Sequence, residues 1–111
     1  MKDDKLYLIH IQECLDRIER YIEIGKEGYF SDTKTQDAIL RNLQTLAEST
    51  RRLSEPLKKK YPGIDWRAIA AFRNVAVHDY LGIDAEQIWD IIQNDIPSLL
   101  QGIRTILNDL K

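Results

Sequence analysis

The run Arg73-Asn74-Val75-Ala76-Val77-His78-Asp79-Tyr80 is where side chains capable of chemistry crowd together in this chain. Histidine, with an unperturbed pKa of about 6.5, can take and return protons near neutral pH. Arginine stays protonated and offers a planar fork of donors that matches phosphate oxygens. Asp79 is the only carboxylate in the run, so a site built around Mg²⁺ is poorly served and metal-free chemistry fits better. Arg, Asn and His also stand among Val and Ala, where burying them costs free energy unless they are paired or used.

The element that carries these residues is expected to be a helix. Asp65 is a good N-cap. Trp66, Ile69, Ala70, Phe72, Val75 and Val77 supply its apolar content, and Gly82 can end it with a left-handed residue. On such a helix Asn74 and His78 share one face, four residues apart, while Arg73, Val77 and Tyr80 share another. Arg73 and His78 are then about 140° apart around the axis. Three arrangements could bring them together: the long Arg73 stem swings round, the helix distorts near Gly82, or two copies of the motif meet across a dimer.

The remaining elements also read as helices. Leu6, Ile9, Cys14, Ile18, Tyr21 and Ile22 recur at near-helical spacing from about Asp3 to Gly25, where Gly25 and Gly28 mark the end. A turn through Tyr29-Phe30-Ser31 leads to a second helix capped by Ser31 or Asp32, carrying Ile39, Leu40, Leu43, Leu46, Ala47 and Leu53. Its outer face takes Lys34, Arg41, Glu48, Arg51 and Arg52. Pro56 and Pro62-Gly63 bracket a connector in which Leu57 to Lys60 form a single turn. Asp84 with Gln87 starts another helix through Ile88, Trp89, Ile91 and Ile92. Pro97 sits in the first turn of the last, which uses Leu99, Leu100, Ile103, Ile106, Leu107 and Leu110. The expectation is one all-α domain over residues 1–111, a bundle of four to five helices.

Composition narrows the function classes. An apolar fraction of 43% is globular, and five Gly with three Pro suit long helices over many-turned β architecture. Cys14, the only cysteine, suits a small residue on a helix face. The charged start Met1-Lys2-Asp3-Asp4 lacks the apolar run of a secretion signal, and no stretch is long enough to span a bilayer, so a cytoplasmic protein off the membrane is expected. The formal net charge is −2, yet Arg41 to Arg73 holds eight basic residues against three acidic ones. This local excess of five positive charges leaves −7 for the rest and points to an anionic partner. Arg51, Arg52, Lys58, Lys59 and Lys60 are its candidate contacts, although a run of this kind can also be a plain solvated face.

The motif and its flanks resemble a known family. Arg73, four residues, His78, one residue, Tyr80 matches the signature of HEPN-domain toxins of the HepT type. Asp65-Trp66-Arg67-Ala68-Ile69-Ala70 leading into Arg73-Asn74 resembles the family's lead-in, and Gly82-Ile83-Asp84 followed by Ile88-Trp89 resembles its exit. The first helix resembles it only in pattern. The resemblance implies a helical bundle of HEPN type that forms a two-fold homodimer, and a metal-independent endoribonuclease without cofactor. It implies Arg73 and His78 as the catalytic pair, with Asn74 matching the polar residue that follows the arginine. It implies a minimal nucleotidyltransferase antitoxin as partner, silencing the toxin by attaching AMP to Tyr80.

That implied activity is chemically consistent. RNA cleaves when a 2′-OH attacks the adjacent phosphate, which requires one proton removed, one supplied, and charge on the phosphoryl oxygens neutralised. Positioned acid–base catalysis supplies roughly 10²–10⁴-fold. One chain has one motif histidine, and a two-fold dimer would bring two. Against this, a histidine on an apolar helix is more often structural than catalytic. Taken alone, Tyr80 would be a core or interface tyrosine and Asn74 a packing hydrogen bonder. His10 has no chemical companions in the sequence and reads as surface or interface. Trp66 and Trp89 read as core, with Trp66 near enough to the basic connector to stack a base. The alternative function is a non-catalytic helical binding partner, or a nucleotide-binding scaffold for a nucleotidyltransferase.

Overall fold

The computed structural model describes residues 2–74, 77–78 and 82–110, with side chains for 3–74 and 84–110. In chain order the helices are α1 (Lys2–Tyr21), α2 (Gly25–Ser31), α3 (Thr33–Arg51), α4 (Glu55–Lys60), α5 (Trp66–Ala71), α6 (Ala85–Asn94) and α7 (Ile96–Asp109). The chain is an all-α bundle in which α1, α3, α6 and α7 are the long members. One small exception is a two-residue antiparallel ribbon, β1 (Val77–His78) with β2 (Gly82–Ile83), pairing Val77 with Ile83 and His78 with Gly82.

Apolar periodicity explains the bundle. On α1, Leu8, Ile11, Leu15 and Ile18 recur every three or four residues and are fully buried, with Cys14 beside them. They pack chiefly along α3, through Ile39, Leu43, Leu46 and Ala47, and then along α7, through Leu99, Leu100, Ile103 and Ile106. Each such side chain contributes about 1.5–3 kcal/mol by leaving water. No helix among the described residues is long and apolar enough to cross a membrane.

The caps fall where the sequence puts them. Asp32 accepts from Lys34 N, Asp65 from Ala68 N and Asp84 from Gln87 N. A capping interaction outside the sequence reading ties α4 to α1. The buried Asp4 carboxylate accepts from Ser54 N at 2.8 Å and from Ser54 Oγ at 2.6 Å, and Ser54 is the N-cap of α4. Trp66 and Trp89 are half-buried against the core, as expected. The Trp66 indole N–H donates to the Lys58 and Tyr61 carbonyls, fixing the connector between α4 and α5.

Three expectations are corrected. The first helix becomes a 3-10 turn over Ile22–Ile24, ending at Gly25 with φ +87°. Tyr29-Phe30-Ser31 is helix rather than turn, because the fully buried Tyr29 anchors α2 on α6: its hydroxyl donates to Ala85 O at 2.7 Å and its ring packs on Trp89. The third correction bears on the motif. The helix expected to reach Gly82 ends as α5 at Ala71, followed by a 3-10 turn over Phe72–Asn74, and Val77–His78 and Gly82–Ile83 are extended. Val77 is β-branched and fits the extended backbone on which it pairs with Ile83. The helical-wheel relations among Arg73, Asn74, Val77 and His78 therefore do not apply, and Tyr80 lies outside the described residues.

Candidate active site

Arg73 is delivered to the surface by the 3-10 turn that follows α5. Both α5 and this turn lie against α3, held by Ile69 and Phe72, each only 3% exposed. Between and beyond these anchors, Ala70, Ala71, Arg73 and Asn74 face solvent. The short helix α5 thus buries one side and leaves a small-residue face uncovered.

Glu48 of α3 is the organising group. Its carboxylate lies 3.4 Å from Arg73 Nε, 3.5 Å from an Arg51 terminal nitrogen and 3.8 Å from Arg52 Nε. Three guanidinium groups therefore surround one carboxylate. The Arg73 side chain is 44% exposed and that of Glu48 37%. Exposed pairs of this kind are worth roughly 0–1 kcal/mol each, too little to be a structural keystone. What the cluster supplies is a patch with two positive charges in excess, suited to an anion with several oxygens. Hydrogen bonding to Tyr7 of α1, with the Glu48 charge behind it, raises the Arg52 pKa above its ordinary value.

The expected site residues divide. Arg51, Arg52 and Arg73 come together. Asn74 closes the 3-10 turn and is exposed. Lys58, Lys59 and Lys60 form the last turn of α4. There Lys58 reaches Glu55 at 4.0 Å and is only 17% exposed, while Lys60 sits over the Tyr61 ring and lines a groove facing α7. His78 is described in its backbone alone, as the ribbon partner of Gly82. Tyr80 and Asp79 lie outside the described residues.

Sequence reasoning missed the ground next to Arg73. Glu48, Tyr7, His10, Arg41, Gln44, Thr45, Ser49 and Arg52 line one open groove of about 630 Å³ between α1 and α3. The His10 ring, which reads as surface or interface in the sequence, is hydrogen bonded through Nδ1 to Ser49 Oγ at 2.9 Å. The available signal was the spacing of Arg41, Glu48 and Arg52 along the outer face of α3. A smaller cavity of about 120 Å³ below the 3-10 turn is lined by Asp65, Phe72, Asp95 and Leu99 among others. Burial first, and then the Asp65 charge, raise the Asp95 pKa, and both carboxyl groups line that cavity.

The all-α bundle fits a domain of HEPN type. Residues 11–106 match the family model described as ribonuclease HepT-like, and the chain belongs to that family. It is 35% identical over 99 residues to a protein of Thermococcus cleftensis named "Probable ribonuclease HepT", covering 88% of this chain and 90% of the other. It is 33% identical over 111 residues to a Methanocaldococcus jannaschii protein named "Putative RNase MJ0127", covering 99% and 92%. A further protein of that organism, named "Gamma-glutamylcyclotransferase and putative RNase MJ0434", is 34% identical over 110 residues, and the chain spans half of its length. No solved structure matches.

Proposed function

We propose that this chain is a metal-independent endoribonuclease of HEPN type, the toxin of a pair whose antitoxin is a minimal nucleotidyltransferase. The observation that carries the reading is the surface cluster of Arg73 with Arg51 and Arg52 around Glu48. The motif arginine stands exposed in a phosphate-binding patch instead of being consumed in the core. In the reaction, the 2′-hydroxyl attacks the neighbouring phosphorus, the P–O5′ bond breaks, and a 2′,3′-cyclic phosphate and a 5′-hydroxyl result. His78 takes the proton from the 2′-oxygen. The His78 of a second copy protonates the departing 5′-oxygen, and Arg73 neutralises the phosphoryl oxygens. Asn74 donates beside Arg73. Silencing follows from AMP on Tyr80: the added phosphodiester competes with substrate phosphate for Arg73 and the nucleoside fills the cleft.

Purified protein incubated with total RNA in EDTA tests the reading. Cleavage should persist in EDTA and be abolished by His78→Ala and by Arg73→Ala while the circular dichroism spectrum stays helical. Full cleavage by His78→Ala would remove His78 from the mechanism. Incubation with a nucleotidyltransferase antitoxin and ATP should add AMP at Tyr80 by mass spectrometry. AMP on Tyr61 or Tyr29, with Tyr80→Phe still silenced, would refute that control point.

A further inference from the structure

The groove between α1 and α3 is not part of the motif, yet it shares Glu48 with Arg73. We propose that it is a subsite for single-stranded RNA, holding nucleotides that flank the scissile phosphate. This deepens the function proposed above and rests on RNA being the substrate. Four observations converge on it.

The first is reach. Arg41, Gln44, Thr45, Glu48 and Arg52 fall on one face of α3 at helical spacing. From Arg41 to Arg52 the helix advances roughly 16 Å, longer than one phosphate contact requires. The second is charge. Arg41 is exposed and makes no ion pair among the described residues, which leaves an uncompensated cation at the far end from Arg73. A strand bound at Arg73 therefore meets a second phosphate-binding point along the same line.

The third is an aromatic surface. Tyr7 of α1 lines the groove half-buried beside Arg52, and positive grooves with aromatic platforms are how proteins hold unpaired bases. The fourth is a fixed polar group. The bond from His10 Nδ1 to the buried Ser49 hydroxyl orients the imidazole in the groove. Its Nε2 makes no hydrogen bond among the described residues, so it is available to a ribose hydroxyl or a base edge. A solvated face would need neither the buried serine behind the histidine nor the tyrosine beside the arginine.

The test uses fluorescence anisotropy with a labelled 2′-O-methyl octanucleotide, which binds but cannot be cleaved by 2′-OH attack. Arg41→Gln should weaken binding and lower the slope of log affinity against log salt by about 0.7, the value of one single-strand phosphate contact. Tyr7→Leu should weaken binding about tenfold through lost stacking, with the salt slope unchanged because no charge is removed. Lys26→Gln, on α2 and outside the groove, is the comparison. If Arg41→Gln and Tyr7→Leu bind like wild type while wild type cleaves RNA, the subsite is overturned and the nuclease stands. If wild type binds the octanucleotide through these residues but cleaves no RNA, single-strand binding in the groove stands, while the nuclease and the groove's place beside a scissile phosphate both fall. A shift in sedimentation equilibrium on Arg41→Gln, with octanucleotide affinity unchanged, would make the groove an interface between copies and overturn the proposal.

Discussion

Replacing Glu48 by Gln separates the two things a carboxylate among three arginines can do. If it chiefly holds the fold together, its loss destabilises; if it competes with RNA phosphate, its loss tightens binding. Geometry decides between them. At 3.4 Å, a hydrated pair of unit charges attracts by roughly 1.2 kcal/mol. Holding two long side chains together consumes much of that, leaving about 0–1 kcal/mol. The three contacts share one charge and one exposed carboxylate, so their sum stays near the top of that range. Glu48→Gln should then lower Tm by no more than about 5 °C. For a phosphate at Arg73, the same carboxylate is both a rival to be displaced and a like charge nearby. Removing it should return about 1 kcal/mol of attraction, which is about fivefold in affinity. The gain should appear as a lower KM for RNA cleavage, be largest at low salt, and shrink as ionic strength rises. Steady-state kinetics at two salt concentrations and a thermal melt measure both arms. A KM that rises, or a Tm loss well beyond 5 °C with unchanged KM, would refute the view of Glu48 as a displaceable occupant of the phosphate site.

Other predictions follow from the contacts that shape the bundle. Arg51→Gln with Arg52→Gln should flatten the salt dependence of RNA binding by about 1.4 in slope, two phosphate contacts. Neutralising Lys58, Lys59 and Lys60 together should do less, since Lys58 is largely covered and Lys60 faces α7; an equal or larger effect would place the RNA path over α4. Asp4→Ala removes a charged acceptor from both Ser54 groups and should cost about 2–3 kcal/mol in urea unfolding. A neutral result would mean that water serves the cap equally well. Tyr29→Phe removes one of two donors to the Ala85 carbonyl, which keeps its helical bond within α6, and should cost about 0.5–1.5 kcal/mol. Burial, then the Asp84 charge, push the Tyr29 pKa from 10 up to about 12. Below pH 10 its contribution is fully present; between about 10 and 12 the unfolded chain ionises and the folded phenol does not, so stability falls as pH rises. Tyr29→Phe should lack that component, and identical alkaline profiles for the two proteins would exclude it.

The bundle was legible because its signals are redundant. On α1 and α3 the apolar residues repeat with the helical period over five turns, and the Asp caps at 32, 65 and 84 agree with that pattern. The misreadings fall where one signal stood alone. Gly28 reads as a helix end, but it lies inside α2, where a side chain would collide with Ile24, the N-cap residue of that helix. Tyr29-Phe30-Ser31 looked like a turn because no period is visible in three residues, and what makes it helical is a long-range bond from Tyr29 to Ala85. Val75 and Val77 read as apolar content of a helix, although β-branched residues two apart fit a strand equally well. The chain resolves that ambiguity for Val77 by pairing it with Ile83.

The site was legible as a list of residues but not as a place. Arg73 and the pair Arg51-Arg52 are more than twenty positions apart, and only the docking of Ile69 and Phe72 on α3 puts them around one carboxylate. Charge counting found the positive stretch, yet treated Glu48 as a minor subtraction from it. In the fold that acid is the point through which the motif arginine, the end of α3 and the α1–α3 groove are connected. The end of α5 at Ala71 has a matching consequence. A continuous helix would have fixed Arg73 and His78 about 140° apart. With the backbone turned into a ribbon at His78, the separation of the two side chains is no longer set by helical geometry.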